Sequence, residues 1–185
     1  IGLGTHTIFV INLLSDEIDK IRDTVLACLG QGVPLNPEGN PALNYNWSPA
    51  QFLDNPTSAN PLATVSSQTV FTVMITNPAD SCVASSQVVV VVPIAVAAEI
   101  IPDSLEACLN IPVALNPNGI QDPNLEYLWS PADKLDNPAS VNPKATIDSP
   151  TVFTVTISDK RFENCQITKS VVVDIPLIEE VDKIK

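Results

Sequence analysis

The chain contains itself twice. Asp23-Thr24-Val25-Leu26-Ala27-Cys28-Leu29 is followed 80 positions later by Asp103-Ser104-Leu105-Glu106-Ala107-Cys108-Leu109. The same offset carries Val33, Leu35-Asn36-Pro37 and Gly39 onto Val113, Leu115-Asn116-Pro117 and Gly119. Two inserted residues then move the offset to 82, so that Tyr45-Asn46-Trp47-Ser48-Pro49-Ala50 meets Tyr127-Leu128-Trp129-Ser130-Pro131-Ala132. Leu53-Asp54-Asn55-Pro56 and Phe71-Thr72-Val73 recur as Leu135-Asp136-Asn137-Pro138 and Phe153-Thr154-Val155, and one more insertion brings Cys82 onto Cys165. A repeat of roughly 80 residues is the size of a small domain, so whatever one copy folds into the other must fold into as well.

The ends continue the pattern. Ile8-Phe9-Val10-Ile11 lies 80 positions before Val88–Val91, and Glu180-Val181-Asp182-Lys183-Ile184-Lys185 copies Glu17-Ile18-Asp19-Lys20-Ile21-Arg22. Residues 1–12 therefore read as the last strand of a preceding repeat, 13–93 as repeat 1, 94–176 as repeat 2 and 177–185 as the start of a following repeat. The expected object is a window on a longer array.

Within each copy, apolar residues alternate with the period of two that marks a half-buried strand. Leu43, Tyr45 and Trp47 share one face, as do Phe71, Val73 and Ile75, and Tyr127, Trp129 and Phe153 repeat the arrangement. Seventeen prolines against six glycines punctuate these runs and exclude long helices. The fold class expected is all-β: tandem immunoglobulin-like sandwiches stacked end to end, each around a core of Trp47, Tyr45 and Phe71 or Trp129, Tyr127 and Phe153. Strand A is placed within Ile18–Leu26 and Val96–Leu105, B near Val33–Leu35, C at Leu43–Trp47, E near Leu62–Val65, F at Val70–Thr76 and G at Gln87–Val92. Only Pro93 interrupts the passage from G into the next A strand, which predicts little swivel and a semi-rigid rod. Strand A is expected to cover the sticky Val88–Val92 run. Both insertions fall in B–C and F–G loops, which share one end of such a sandwich.

Charge narrows the function classes. With 21 acidic against 9 basic residues the formal net charge is −12, the opposite of what a phosphate backbone attracts, so no nucleic-acid partner is expected. The longest apolar run, Val88–Ala98, is broken at Pro93 and falls short of the ~18 residues of a membrane span, so no membrane insertion is expected.

Taken in order, Cys-x-x-x-x-Val-x-Leu, Tyr-x-Trp-Ser-Pro-Ala, Leu-Asp-Asn-Pro, Phe-Thr-Val-x-Ile, a second Cys and a valine-rich strand resemble the PKD-like and Ig-like repeats of giant Bacteroidota surface proteins, among them the SprB-type gliding adhesins. The likeness covers nearly the whole chain. It implies export by the type IX secretion system, an extracellular location at the cell surface, and a role as stalk or adhesive filament in surface attachment and gliding. Partners implied are neighbouring repeats of the same chain, with filament–filament or surface-glycan contacts beyond them. Two other readings stand beside it: a glycan- or protein-binding module working through its B–C and F–G tips, and an accessory β-domain of a secreted hydrolase.

In an exported protein, Cys28, Cys82, Cys108 and Cys165 read as disulfides. Zinc spacing is lacking, and His6 is the one histidine. Two connectivities remain open. One joins Cys28 to Cys165 across the repeat junction and leaves Cys82 and Cys108 to repeats outside this window. The other pairs Cys28 with Cys82 and Cys108 with Cys165.

Asp-Thr-Val at 23–25 and Asp-Ser-Leu at 103–105 resemble the Bacteroidota O-glycosylation pattern, which makes Thr24 and Ser104 candidates against a plain Asp-Ser/Thr turn. Asp54 and Asp136 are weak Ca²⁺ candidates, because each loop supplies few of the six to eight oxygens that ion wants; solvated turns are the competing reading. Trp47 and Trp129 could offer sugar-stacking platforms, but their alternation with Tyr45 and Tyr127 places them in the core. No catalytic set, no metal site and no cofactor are expected, since the chain lacks a phosphate loop, a repeated acid pair and a cysteine beside a basic partner.

Overall fold

The computed structural model describes residues 13–176, and the reading of residues 1–12 and 177–185 as parts of flanking repeats lies outside the described residues. Among those residues the chain divides into two compact units, one of residues 13–27 and 31–91, the other of 28–30 and 92–176.

In the first unit α1 (Leu13–Ile18) precedes β1 (Thr24–Leu26), β2 (Gly32–Pro34), β3 (Asn44–Ser48), β4 (Leu62–Thr64), β5 (Thr69–Thr76) and β6 (Val83–Val91). Strand order β1-β6-β5-β3 makes one sheet and β2-β4 the other. This is the immunoglobulin-like division of C, F and G from B and E, with the first strand joined to the G edge. The second unit repeats it with α2 (Pro93–Glu99), β7 (Ser104–Glu106), β8 (Val113–Ala114), β9 (Leu125–Ser130), β10 (Lys144–Ala145), β11 (Thr151–Asp159) and β12 (Gln166–Asp174), in sheets β7-β12-β11-β9 and β10-β8. The first strand of each unit pairs parallel with the last, Thr24 opposite Val89 and Ser104 opposite Val172. In the first unit it thereby covers the edge of the valine-rich run, as expected.

Alternation places the core where the sequence puts it. Phe71, Val73 and Ile75 are fully buried, as are Phe153, Val155 and Ile157, while Trp47, Trp129, Tyr45 and Tyr127 are nearly so. Asn44 and Asn46, between the first set of inward residues, are exposed.

Two strand assignments need correction. Ile18 ends a helix rather than opening strand A, and Val96 to Glu99 are helical, so the A strands shrink to Thr24–Leu26 and Ser104–Glu106. Strand G does not run on into the next A strand, because α2 intervenes. Its physical reason is local: Pro93 stands at the first turn, where its missing N–H costs nothing and its fixed φ suits a helix. Three of the next five residues are alanine, the best helix former. Ile94, Ala97 and Ala98 are buried and the helix lies against β11 and β12.

Candidate functional site

The repeated motifs turn out to be the fasteners of the fold. Trp47 donates its amide to Pro56 O at 2.8 Å and its indole N–H to Ser58 O at 3.1 Å; Trp129 does the same with Pro138 O and Ser140 O. Both indoles are therefore core residues with their polar atom satisfied, not sugar platforms. One Oδ1 of Asp54 accepts from Leu62 N at 2.8 Å and Asn55 N at 2.7 Å, and Asp136 matches it with Lys144 N and Asn137 N. These carboxylates tie exposed loops back onto β4 and β10. Among the described residues no group of three or more His, Cys, Asp or Glu could hold a metal ion. Gly39 is dictated by space: a Cβ there would lie 2.3 Å from Ala59 O, and one at Gly119 would lie 2.4 Å from Val141 Cγ1.

One polar centre escaped the sequence reading. Glu17, at 1% exposure, receives the Tyr45 hydroxyl at 2.6 Å, Asn36 Nδ2 at 3.0 Å and the Asn40 amide at 3.1 Å on Oε1, and Lys20 Nζ at 3.2 Å on Oε2. Burial alone would raise its pKa, but these donors together hold it below the ordinary 4.5. Burial, and then the Glu17 carboxylate, push the Tyr45 hydroxyl far up. The sign follows from linkage. A carboxyl with a lowered folded pKa contributes stability above its unfolded value and loses it as pH falls through the folded one. Acidification below about pH 4.5 should therefore lower the urea midpoint of the first unit more steeply in the natural chain than in Glu17→Gln. The variant is expected to be weaker at pH 7 by about 1–3 kcal/mol, because an amide presents a donor among donors. Superimposable pH profiles would refute this role. Repeat 2 has Ala97 at the matching position, and there Asn116 Nδ2 turns to Val141 O and the Tyr127 hydroxyl to Ile120 O.

The two insertions meet in the second unit. The last ladder pair of the hairpin is Thr76–Val83 in the first unit and Ser158–Gln166 in the second, so the second turn carries one more residue. Within it Arg161 grips the buried Asp159, Nε to Oδ1 at 2.8 Å and Nη2 to Oδ2 at 2.7 Å. The same Nη2 reaches Asp122 in the lengthened β8–β9 loop at 3.3 Å. The Asn124 amide first, then its side chain and Arg161, hold Asp122 below the usual carboxylate range. Placing B–C and F–G at one end is thereby supported.

Cysteine geometry selects between the two connectivities. Leu26 at the end of β1 lies opposite Val91, whereas Cys82 precedes Val83 at the other end of β6. A nine-residue strand at ~3.3 Å per residue keeps Cys28 and Cys82 far beyond the ~7 Å that a bridge can span. Cys108 and Cys165 are separated in the same way by β12. Cys28 is instead bonded to Cys165, with Cα atoms 5.7 Å apart and 137 positions between them. The within-repeat pairing is thus corrected. Segment 28–30 belongs by its contacts to the second unit, and both bonded cysteines are only 3% exposed. Cys82 and Cys108 are free and exposed. Asp80, by hydrogen bond and then by charge, pushes the Cys82 thiol up.

Thr24 and Ser104 both open the exposed edge strand of their unit and both are solvent-exposed. The carbonyl of the residue before each accepts from the strand opposite, Asp23 O from Val89 N and Asp103 O from Val172 N. No helix among the described residues is long and apolar enough to cross a membrane.

No family model and no curated protein matches the chain. Solved structures similar to it include PcdhgB3 EC1-4, at 12% identity over 84% of this chain and 49% of that one, with a TM-score of 0.30. Mouse cadherin-23 EC22-24 matches at 13% over 83% and 62%, TM-score 0.27, and the four N-terminal Ig domains of Dscam1 isoform 1.9 at 7% over 85% and 44%, TM-score 0.35. The chain spans less than two thirds of each of these, and at such scores the likeness adds nothing to the fold read from strand order.

Proposed function

We propose that this chain is a non-enzymatic structural segment of a long extracellular repeat protein, an adhesive filament at a cell surface. The observation that carries the reading is the Cys28–Cys165 bond, which joins a cysteine of one repeat to a cysteine of the next. Such a bond persists in an oxidising compartment and is rare in a reducing cytosol. The repeated indoles and loop aspartates have structural partners and Gly39 and Gly119 are closely packed, which supports a role in which the domain itself is the product. Surface attachment and gliding, type IX export, and glycans on Thr24 and Ser104 are the finer parts of this proposal.

Antibody raised against the 185-residue chain should label intact, unpermeabilised cells of the source, and brief protease treatment of those cells should remove the label. Deletion of the gene should reduce attachment to glass. Label seen only after permeabilisation would overturn the surface reading.

A further inference from the structure

The one bonded cysteine pair is a template for the two unbonded cysteines. Cys28 and Cys108 are repeat equivalents, and so are Cys165 and Cys82. Where the pair is made, both cysteines are buried at 3% exposure and Leu29 is half-buried. Where it is not, Cys108 and Cys82 are exposed and apolar surface is left in water beside each. Leu109, the equivalent of Leu29, is 54% exposed, Ile111 is 57% exposed, and Val83 next to Cys82 is 58% exposed. Gln31 and Gln166, the equivalents of Ile111 and Val83, stay exposed where the pair is made, so the cover that is missing is the one over the two cysteines and Leu109.

We propose that the Cys108 face, with Leu109, takes the β5–β6 hairpin of another copy of this repeat and that Cys108 bonds the Cys82 of that copy. The inference names the partner of the repeat protein proposed above and rests on that reading only for the supply of further copies. Because the two faces differ and lie on the same chain, the contact is head-to-tail. Such an association extends instead of closing unless its rotation makes a ring. The covalent step needs an oxidant, here oxidised glutathione. One thiolate attacks it to form a mixed disulfide and releases one glutathione thiol. The second protein thiolate then displaces the other, so two protein thiols become one disulfide and the oxidant becomes two thiols.

Purified 185-residue chain incubated with oxidised and reduced glutathione should give a ladder of dimers, trimers and longer species on a non-reducing gel. Peptide mapping should find Cys82 linked to Cys108 between chains and Cys28 linked to Cys165 within them. The decisive comparison uses Cys82→Ser and Cys108→Ser. Each alone blocks the ladder, and a mixture of the two should form the mixed dimer at least about tenfold faster than either forms its own symmetric dimer, a factor equivalent to about 1.4 kcal/mol. Equal rates, or a preference for Cys82–Cys82 or Cys108–Cys108, would overturn the inference and leave the function proposal standing. A Cys28–Cys82 peptide in the map would sink the junction bond on which both rest.

Discussion

Alanine in place of Trp129 is expected to destabilise the second unit by about 3–5 kcal/mol, the range for deleting a large buried aromatic. The indole is 1% exposed, and its N–H occupies the carbonyl of Ser140 at 3.1 Å, so the substitution leaves both a cavity and an unpaired acceptor. Domains have only about 5–15 kcal/mol in hand, and a unit of this size would lose a large part of it. The remaining Trp47 provides the control. It reports on the first unit, whose fluorescence transition in urea should stay where it was while far-UV dichroism shows an earlier transition for the second. Unchanged unfolding accompanied by lost sugar binding would reverse the assignment and make the indole a surface platform after all.

Breaking the Cys28–Cys165 bond should come next in size. Removing a native disulfide from a small domain costs about 2–5 kcal/mol, and this one closes a loop of 137 positions, at the long end where the entropic effect is greatest in theory. The double variant Cys28→Ser with Cys165→Ser should therefore unfold at a urea concentration lower by about 1–2 M, taking a slope of roughly 1–3 kcal/mol per molar. Cys82 and Cys108 should be alkylated first in both proteins so that no exchange repairs the loss. Coincident curves would mean that the bond closes over contacts already made without it.

Much of this was legible from local pattern. Alternation around Trp47 and Phe71 fixed which side chains face inward, because in a strand the face of a residue follows from its parity. The motifs that recur, Trp-Ser-Pro-Ala and Leu-Asp-Asn-Pro, marked the turns, and their bonds stay within one loop, Asp54 to Leu62 spanning 8 residues and Trp47 to Ser58 spanning 11. What failed was non-local or ambiguous. The run from Val88 to Ala98 is apolar throughout, so its period could not separate the strand that ends at Val91 from the helix that starts at Pro93. Glu17 falls outside every strand placed from the sequence, and its carboxylate accepts from a hydroxyl 28 residues away. Its recurrence as Glu180 was the signal available. The disulfide needed the strand register as well as the spacing, because only the pairing of Leu26 with Val91 shows that Cys28 and Cys82 sit at opposite ends of β6.

The parallel pairing of the first and last strands has a mechanical consequence. The chain enters β1 at Thr24 and leaves β6 at Val91, with the three pairs Thr24–Val89, Val25–Val90 and Leu26–Val91 between them. With the Cys28–Cys165 bond intact, residues 29–164 lie off the covalent path that carries tension. Once it is reduced, tension along the chain drags the two strands past each other along their length, so their hydrogen bonds resist in shear, all at once. An antiparallel terminal pair would peel, each bond failing in turn under a smaller force. The second unit has the same clamp between Ser104–Glu106 and Val172–Asp174.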